Sequence, residues 1–278
     1  MSKFPSKRIA ITGAGSGLGR ALAVRYARAS FRVAVLDINL VGAEESLRLV
    51  EQAGGSGFAL ELDVRRDADF LNLAERLERE WGGVDIVVNN AGVASAGELL
   101  KAPLDEWLWM LDINLLGVVR GCKYLGALLA RQRSGHVVNT ASFAGLAGAP
   151  GMASYGVAKA AVVALSEQLR AELLGRSVGV SVVCPSFFTT NLLDSMRGGS
   201  DSVKQKVSSW MNSSEITADD IAEMIYRAVE RNQFLLIPHR RARQQHWFKR
   251  FLPNVYFKRM VEMANKRIES PAAGSPSA

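Results

Sequence analysis

Arg8-Ile9-Ala10-Ile11-Thr12-Gly13-Ala14-Gly15-Ser16-Gly17-Leu18-Gly19 is a short apolar run that breaks into a glycine-rich turn. Within the first five residues Ile9-Ala10-Ile11, flanked by Arg8 and β-branched Thr12, carry the apolar character of a strand covered on both faces. From Leu18 to Ala29 the pattern becomes helical. A glycine turn between a strand and a helix lets backbone N–H groups and the helix N-terminus approach a pyrophosphate without Cβ atoms in the way. Gly13, Ser16, Gly17, Leu18 and Gly19 are therefore candidate cofactor contacts. Glycines alone mark any tight turn; following the first strand and opening the first helix points to a dinucleotide.

Outward from this turn the same alternation continues. Arg32–Leu36, Gly57–Leu62, Val84–Val88, Gly135–Ala141, Val178–Cys184 and Phe234–Ile237 read as strands rich in Val, Ile and Leu. Val41–Ala53, Asp67–Trp81, Pro103–Ala130, Met152–Leu174 and Ala218–Glu230 read as helices, the last capped by Thr217. Strand–helix alternation over this length predicts an α/β fold, a doubly wound parallel sheet of Rossmann-like type in a single domain with a C-terminal helical tail. The main domain spans 6–238, and within it 185–214 has no clear period and reads as a mobile excursion at the carboxyl end of a strand, where ligands bind in such folds. Residues 239–269 read as a basic amphipathic helical tail, and 270–278 as a disordered terminus. Asp37 ends the second strand, 18 residues after Gly19. A carboxylate there accepts from both ribose hydroxyls and repels the extra phosphate of NADP, with no Arg or Lys at Ser16, Ile38 or Asn39 to offset it. That reading gives NAD as cofactor; the alternative for Asp37 is a solvated loop carboxylate.

The 278 residues suit one α/β domain and an appendage. The net charge of +7 is concentrated: nine Lys/Arg and one acid lie between Arg240 and Arg267, so the rest of the chain is close to neutral. Cys122 and Cys184 each sit in an apolar segment and read as buried, reduced thiols. MSKFPSKR runs straight into a strand, and no 18 consecutive apolar residues occur, so neither a secretory signal nor a membrane span is expected. The expected setting is cytoplasmic. His136, His239 and His246 lack metal-ligand spacing, and no metal is assigned.

Asn89-Asn90-Ala91-Gly92 after the fourth strand, Asn114, Ser142, and Tyr155 with Lys159 join the glycine turn in one ordered set. As a set they resemble the shorter, single-domain branch of the short-chain dehydrogenase/reductase family, over residues 6–238. The resemblance implies strand order 3-2-1-4-5-6-7 and a catalytic tetrad of Asn114, Ser142, Tyr155 and Lys159. It implies adenine-side contact from Asp63 and Val64, a structural role for the segment holding Asn90, Ala91 and Gly92, and a homodimer or homotetramer. The family often has Pro-Gly after the sixth strand; here Pro185-Ser186 stands there, leaving Thr189 or Thr190 to meet the carboxamide.

The chemistry explains the residue types. Oxidising an alcohol needs a base for its O–H proton, and a free tyrosine, with a pKa near 10, is a poor one. Tyr155 and Lys159 are i and i+4, so they share one helix face, and a cation there favours the phenolate. Such pairs also arise by chance, and the nucleotide turn is what makes catalysis the better reading. Ser142 can donate to the substrate oxygen. Asn114, a polar residue in an apolar helix, is implied by the resemblance to order water for a relay to Lys159. Val93–Gly97, Phe143–Met152, Phe187–Met196 and Trp210-Met211 supply apolar walls, which points to a hydrophobic secondary alcohol or ketone. Two rivals keep the fold: a nucleotide-binding sensor or scaffold without catalysis, and an isomerase or dehydratase. The Ala-rich helix around Val157–Ala171 offers a face for a symmetry mate. The tail has three readings: packing on its own or a partner subunit, lying peripherally on an anionic membrane, or meeting nucleic acid, for which no recognised module is present.

Overall fold

Parallel neighbours require the chain to return between strands, and helices carry it back. The computed structural model describes residues 4–199 and 201–268. It runs through β1 (Arg8–Thr12), α1 (Gly17–Ala27), β2 (Arg32–Asp37), α2 (Leu40–Gln52), β3 (Ser56–Glu61), α3 (Asp67–Trp81) and β4 (Ile86–Asn89). A short β5 (Ser95–Ala96) precedes α4 (Leu104–Leu111), a π-helical turn (Asp112–Leu116) and α5 (Gly117–Gln132). β6 (Gly135–Thr140), α6 (Phe143–Ala147), α7 (Ala153–Leu174) and β7 (Val178–Val183) follow. A 3-10 turn (Asn191–Ser195), β8 (Arg197–Gly198), α8 (Asp201–Asn212), α9 (Ala218–Glu230), β9 (Leu235–Leu236), α10 (Arg240–Phe251) and α11 (Pro253–Ile268) complete it.

Seven strands form one parallel sheet in the order β3-β2-β1-β4-β6-β7-β9. Counted within that sheet alone, this is the expected 3-2-1-4-5-6-7. Successive side chains of β1 enter opposite layers. Ile9 and Ile11 join Leu22 of α1 and Ile225 of α9 on one side. Ala10 joins Phe70 of α3 and Leu125 of α5 on the other. Burying a Leu, Ile or Phe contributes about 1.5–3 kcal/mol, and both layers are built from fully buried residues. At the rim opposite the glycine turn, Arg8 and Asp85 form a buried fork, Nη2 to Oδ1 at 2.8 Å. Thr217 caps α9 as expected: its hydroxyl accepts from the Asp220 N–H while the Asp220 carboxylate accepts from its own N–H.

One expectation needs correction and two gain detail. The helix expected over 103–130 runs from Leu104 to Gln132 with a π turn at Asp112–Leu116, and Asn114 sits inside that turn. Stretches of this kind satisfy side chains a regular helix would misdirect. Leu104–Gln132 is long and apolar enough to cross a membrane, but half of its most apolar window is buried inside the fold, as in a core helix. The segment 185–214 is not period-free: it holds the 3-10 turn, β8 paired in parallel with β5, and α8. Val203, Val207, Trp210 and Met211 do follow helical spacing, but Ser and Lys between them hide it. The tail is two helices, broken at Leu252 because the residue before Pro253 is pushed off the helical region, and proline then opens α11. The tail touches its own chain through Lys249 and Tyr256, which donate to Leu146 O and Ala147 O. The expected disordered terminus, 270–278, lies outside the described residues.

Candidate active site

The glycine turn is built by contacts that leave no room for side chains. Gly13 has φ +65°, and a Cβ there would stand 2.7 Å from the Ala91 Cα; at Gly19 it would stand 2.1 Å from the Gly13 carbonyl oxygen. Gly17, with φ +50°, opens α1, and Ser16 is its exposed N-cap residue, so the free N–H groups of the first helical turn face outward. Leu18 points inward instead and is buried. The Asp37 carboxylate accepts from Gly15 N at 2.8 Å and Asn39 N at 2.9 Å, which pins it beside the turn at the end of β2. Arg20 reaches back to donate to Gly15 O at 2.6 Å and Ser46 Oγ at 2.9 Å.

We expect Gly19→Ala to abolish dinucleotide binding and to destabilise the fold by about 1–3 kcal/mol, because backbone has to move to admit one methyl group. Fluorescence titration and a thermal melt test this; a variant that binds normally refutes the close-packed turn.

Ala91 and Gly92 bridge this turn to the chemistry. Thr12 Oγ1 accepts from Asn90 N and Ala91 N, at 3.0 and 3.1 Å. The Asn90 amide donates to Thr12 O and Gly13 O, so its side chain ties strands together. A Cβ on Gly92 would lie 2.6 Å from Asn114 Oδ1 and 3.4 Å from Lys159 Nζ, which puts both polar groups against one glycine. Asn114 is fully buried and its amide clasps the backbone of Val93, accepting from N at 3.0 Å and donating to O at 2.9 Å. Its side chain thus works as a clamp on the segment after β4.

Lys159 is buried on α7 and donates to Thr140 O at 2.9 Å, with its ammonium 5.9 Å from the centre of the Tyr155 ring. Burial lowers its pKa to about 8. Tyr155 packs with Met110 and Ala158. Burial pushes its phenol up, against the lowering effect of a hydrogen bond with Ser142. In the protein by itself desolvation outweighs that hydrogen bond, whereas the expected lowering of the phenol draws on a neighbouring cation and on oxidised nicotinamide. Ser142 caps α6 by accepting from Ala144 N at 3.1 Å. Cys184, a buried thiol pushed up to about 12, stands close enough to Lys159 and Tyr155 to interact with both.

The remaining candidates divide. The Asp63 carboxylate takes a fork from Arg65, which holds it below the usual carboxylate range, and its N–H donates to Asp69. Val64 packs against Gly117, where a Cβ would meet it at 3.0 Å. Pro185 O accepts from Phe143 N at 2.8 Å, next to Ser142. Thr190 lies beside the glycine turn, 3.5 Å from a Cβ on Gly17, whereas the Thr189 hydroxyl turns to Met211 O. Glu106 escaped sequence reasoning, which also gave Thr12 and His239 no role in the site. Glu106 is a buried carboxylate on α4 that accepts from Ser95 and Ser154, joining β5 to the first turn of the helix that carries Tyr155. Three residues on, Trp109 lies under the Arg197 guanidinium at 3.9 Å. An acid at a helix position facing serines far away in sequence gives no local signal.

Comparison with known proteins places this arrangement. The short chain dehydrogenase family model matches residues 7–200. Over 192 residues the chain is 38% identical to the "Probable oxidoreductase EphD" of Mycobacterium tuberculosis, covering 68% of this chain but only 32% of that protein's length. It is 31% identical over 206 residues to the 3-oxoacyl-[acyl-carrier-protein] reductase FabG of Staphylococcus epidermidis, covering 73% of this chain and 82% of that one. A short chain dehydrogenase/reductase from Burkholderia phymatum, crystallised in complex with NAD, superposes over 100% of both chains with a TM-score of 0.84 at 26% identity. A seven-stranded sheet in the family's order, a glycine turn and a Ser-Tyr-Lys cluster on its carboxyl edge agree with the match: the chain belongs to the short-chain dehydrogenase/reductase family.

Proposed function

We propose that the protein is an oxidoreductase that uses NAD to interconvert a hydrophobic secondary alcohol and its ketone, with Tyr155 as general acid and base. The observation that carries this reading is the meeting of Tyr155, Ser142 and Lys159 beside the glycine cradle, joined to it through Ala91-Gly92. The cradle fits a dinucleotide: its glycines leave backbone N–H groups bare at a helix N-terminus, and Asp37 lies where a ribose would be held. Gly13, Ser16, Gly17, Leu18, Gly19, Asp37, Asp63, Val64, Asn90, Ala91, Gly92, Pro185, Thr189 and Thr190 are the proposed binding set, with Tyr155 and Lys159 at its reactive end.

A bound nicotinamide dinucleotide supplies or accepts the hydride at the substrate carbon. The chain handles the oxygen. In reduction, Ser142 and Tyr155 donate to the carbonyl oxygen; as charge grows there, Tyr155 gives up its proton and Lys159 steadies the phenolate until it is reprotonated. In oxidation Tyr155 takes the alcohol proton by the reverse path. The substrate side is apolar: Ala94, Leu192, Leu193 and Met196 cluster, and Phe187 packs on Trp210 at 5.3 Å. The name of the FabG relative also points to a carbonyl on an acyl chain. Exposed Val157 on α7 supports self-association as a homodimer or homotetramer.

A panel of apolar ketones and alcohols, read by nicotinamide absorbance with both cofactors, tests the reading. We expect faster turnover of apolar ketones than of polyols, and preference for NAD over NADP. Asp37→Ser should weaken NAD binding about 10- to 100-fold, the value of a hydrogen bond to a charged group. It should improve NADP binding, with Arg20 left to meet the phosphate. No turnover with any carbonyl, or NADP preference in the wild type, sinks the proposal.

A further inference from the structure

The C-terminal helices lie beyond the stretch that the family model matches, yet their polar contacts converge on the active site. α6 is a single turn of helix whose first cap is Ser142 and whose last carbonyls need donors from elsewhere. Two of those donors come from the tail. Lys249 Nζ donates to Leu146 O at 2.6 Å, and the buried Tyr256 hydroxyl donates to Ala147 O at 2.9 Å. α6 has no freedom on its other side, because a Cβ on Gly145 would lie 2.5 Å from the Lys159 backbone. At the start of α10, His239 Nδ1 accepts from Ser186 N at 3.1 Å. Ser186 follows Pro185, whose carbonyl takes the Phe143 N–H and the longer 3.5 Å contact from Ser142 Oγ. Arg243 locks this corner by donating to Ile237 O and Pro238 O, at 2.8 and 2.7 Å.

We propose that the α10–α11 arm is a working part of the active site, in which Lys249, Tyr256 and His239 are positioning residues for Ser142 and the Pro185-Ser186 turn. The inference rests on the reading of Ser142 and Tyr155 given above. Lys249 and Tyr256 hold the far end of α6, so the hydroxyl at its near end keeps its direction toward Tyr155. His239 takes over the loop's path at the one place where serine replaces the family's glycine. Its Nδ1 accepts from Ser186 N, and the Phe187 backbone also hydrogen-bonds the ring.

The test uses the full chain carrying Lys249→Met with Tyr256→Phe, and separately His239→Ala and His239→Asn. Steady-state kinetics on an apolar ketone and native-state hydrogen exchange at the Phe143, Ala144 and Ser186 amides are measured together. The double variant should lose about 10- to 100-fold in kcat, the cost of a misplacement near 1 Å, with KM for the dinucleotide changed less than about twofold. Exchange at Phe143 and Ala144 should rise, and global stability measured in urea should stay above that needed for full folding. His239→Ala should speed exchange at Ser186, and His239→Asn, whose amide oxygen can accept the same bond, should restore both exchange and kcat. Unchanged kcat and unchanged exchange in the double variant overturn the proposal, as does failure of His239→Asn to differ from His239→Ala. Faster exchange in a protein whose wild type reduces no carbonyl supports the brace and overturns the functional reading instead.

Discussion

Tyr155→Phe should turn over its ketone about 10²- to 10⁴-fold more slowly than wild type, the usual contribution of a positioned general acid or base. The change removes one oxygen and nothing else. The ring stays packed against Met110 and Ala158, so the fold has no reason to respond. Stability should shift by about 1 kcal/mol or less, since the lost hydroxyl gave up only its bond with Ser142. Dinucleotide affinity should hold within a few fold, because the glycine cradle and Asp37 are untouched. Three measurements separate these outcomes: kcat on the best ketone, fluorescence titration with reduced nicotinamide dinucleotide, and a thermal melt. A variant retaining more than about a tenth of wild-type kcat removes Tyr155 from the chemistry. A variant that melts far below wild type would make the lost activity uninformative about the proton, and Tyr155→His would then be the cleaner probe.

Lys159→Met should be inactive yet more stable than wild type at neutral pH. The wild-type ammonium is buried, and its pKa falls from 10.5 to about 8. A depressed lysine means that the unfolded chain binds more protons than the folded one between pH 8 and 10.5. Stability therefore rises with pH through that window, and below pH 8 the whole cost of holding the charge is present, about 3 kcal/mol. Methionine fills the same volume without charge. It leaves Thr140 O without its donor, at roughly 1 kcal/mol, so the net gain at pH 7 is about 2 kcal/mol, or several degrees in Tm. By pH 10.5 the advantage should disappear, because folded wild type has already shed the Lys159 proton near pH 8 and the unfolded chain now loses it too. Denaturant titrations of both proteins at pH 7 and pH 10 isolate this group, because all other titrations are shared. A variant less stable than wild type at pH 7, or an advantage that ignores pH, contradicts the burial argument. The charge would then be kept at a cost in stability for what it does beside Tyr155.

The fold was legible because its signals are local. Ile9, Ile11 and their like announce doubly covered strands, glycines at 13, 17 and 19 announce a turn that permits close approach, and the intervening helices force parallel pairing. Thr217 with Asp220 named a helix start from four residues alone. Tyr155 and Lys159 were legible as i and i+4 on one helix, while Asn114 and Ser142 were implied by the resemblance to a known family. Elements built from weak periods or long-range partners were not. The helix in 201–212 was missed because serines and lysines interrupt its apolar stripe, and β8 exists only because β5 is there to pair with it. Asn114 lies in a π turn that no apolar pattern marks.

What the amino-acid order determined by itself was the parallel α/β fold, the phosphate-sized gap in the glycine turn and the set of side chains able to handle a proton. Tertiary structure alone decided the electrostatics and the bracing. Whether the phenol rises or falls in pKa depends on how much water remains around it, and that is a property of packing between Met110, Ala158 and Ser142. Whether Lys249, Tyr256 and His239 matter to Ser142 depends on contacts across 103, 109 and 53 residues of chain. Such contacts obey no sequence spacing, because a hydrogen bond is sensitive to distance in space and indifferent to distance along the chain.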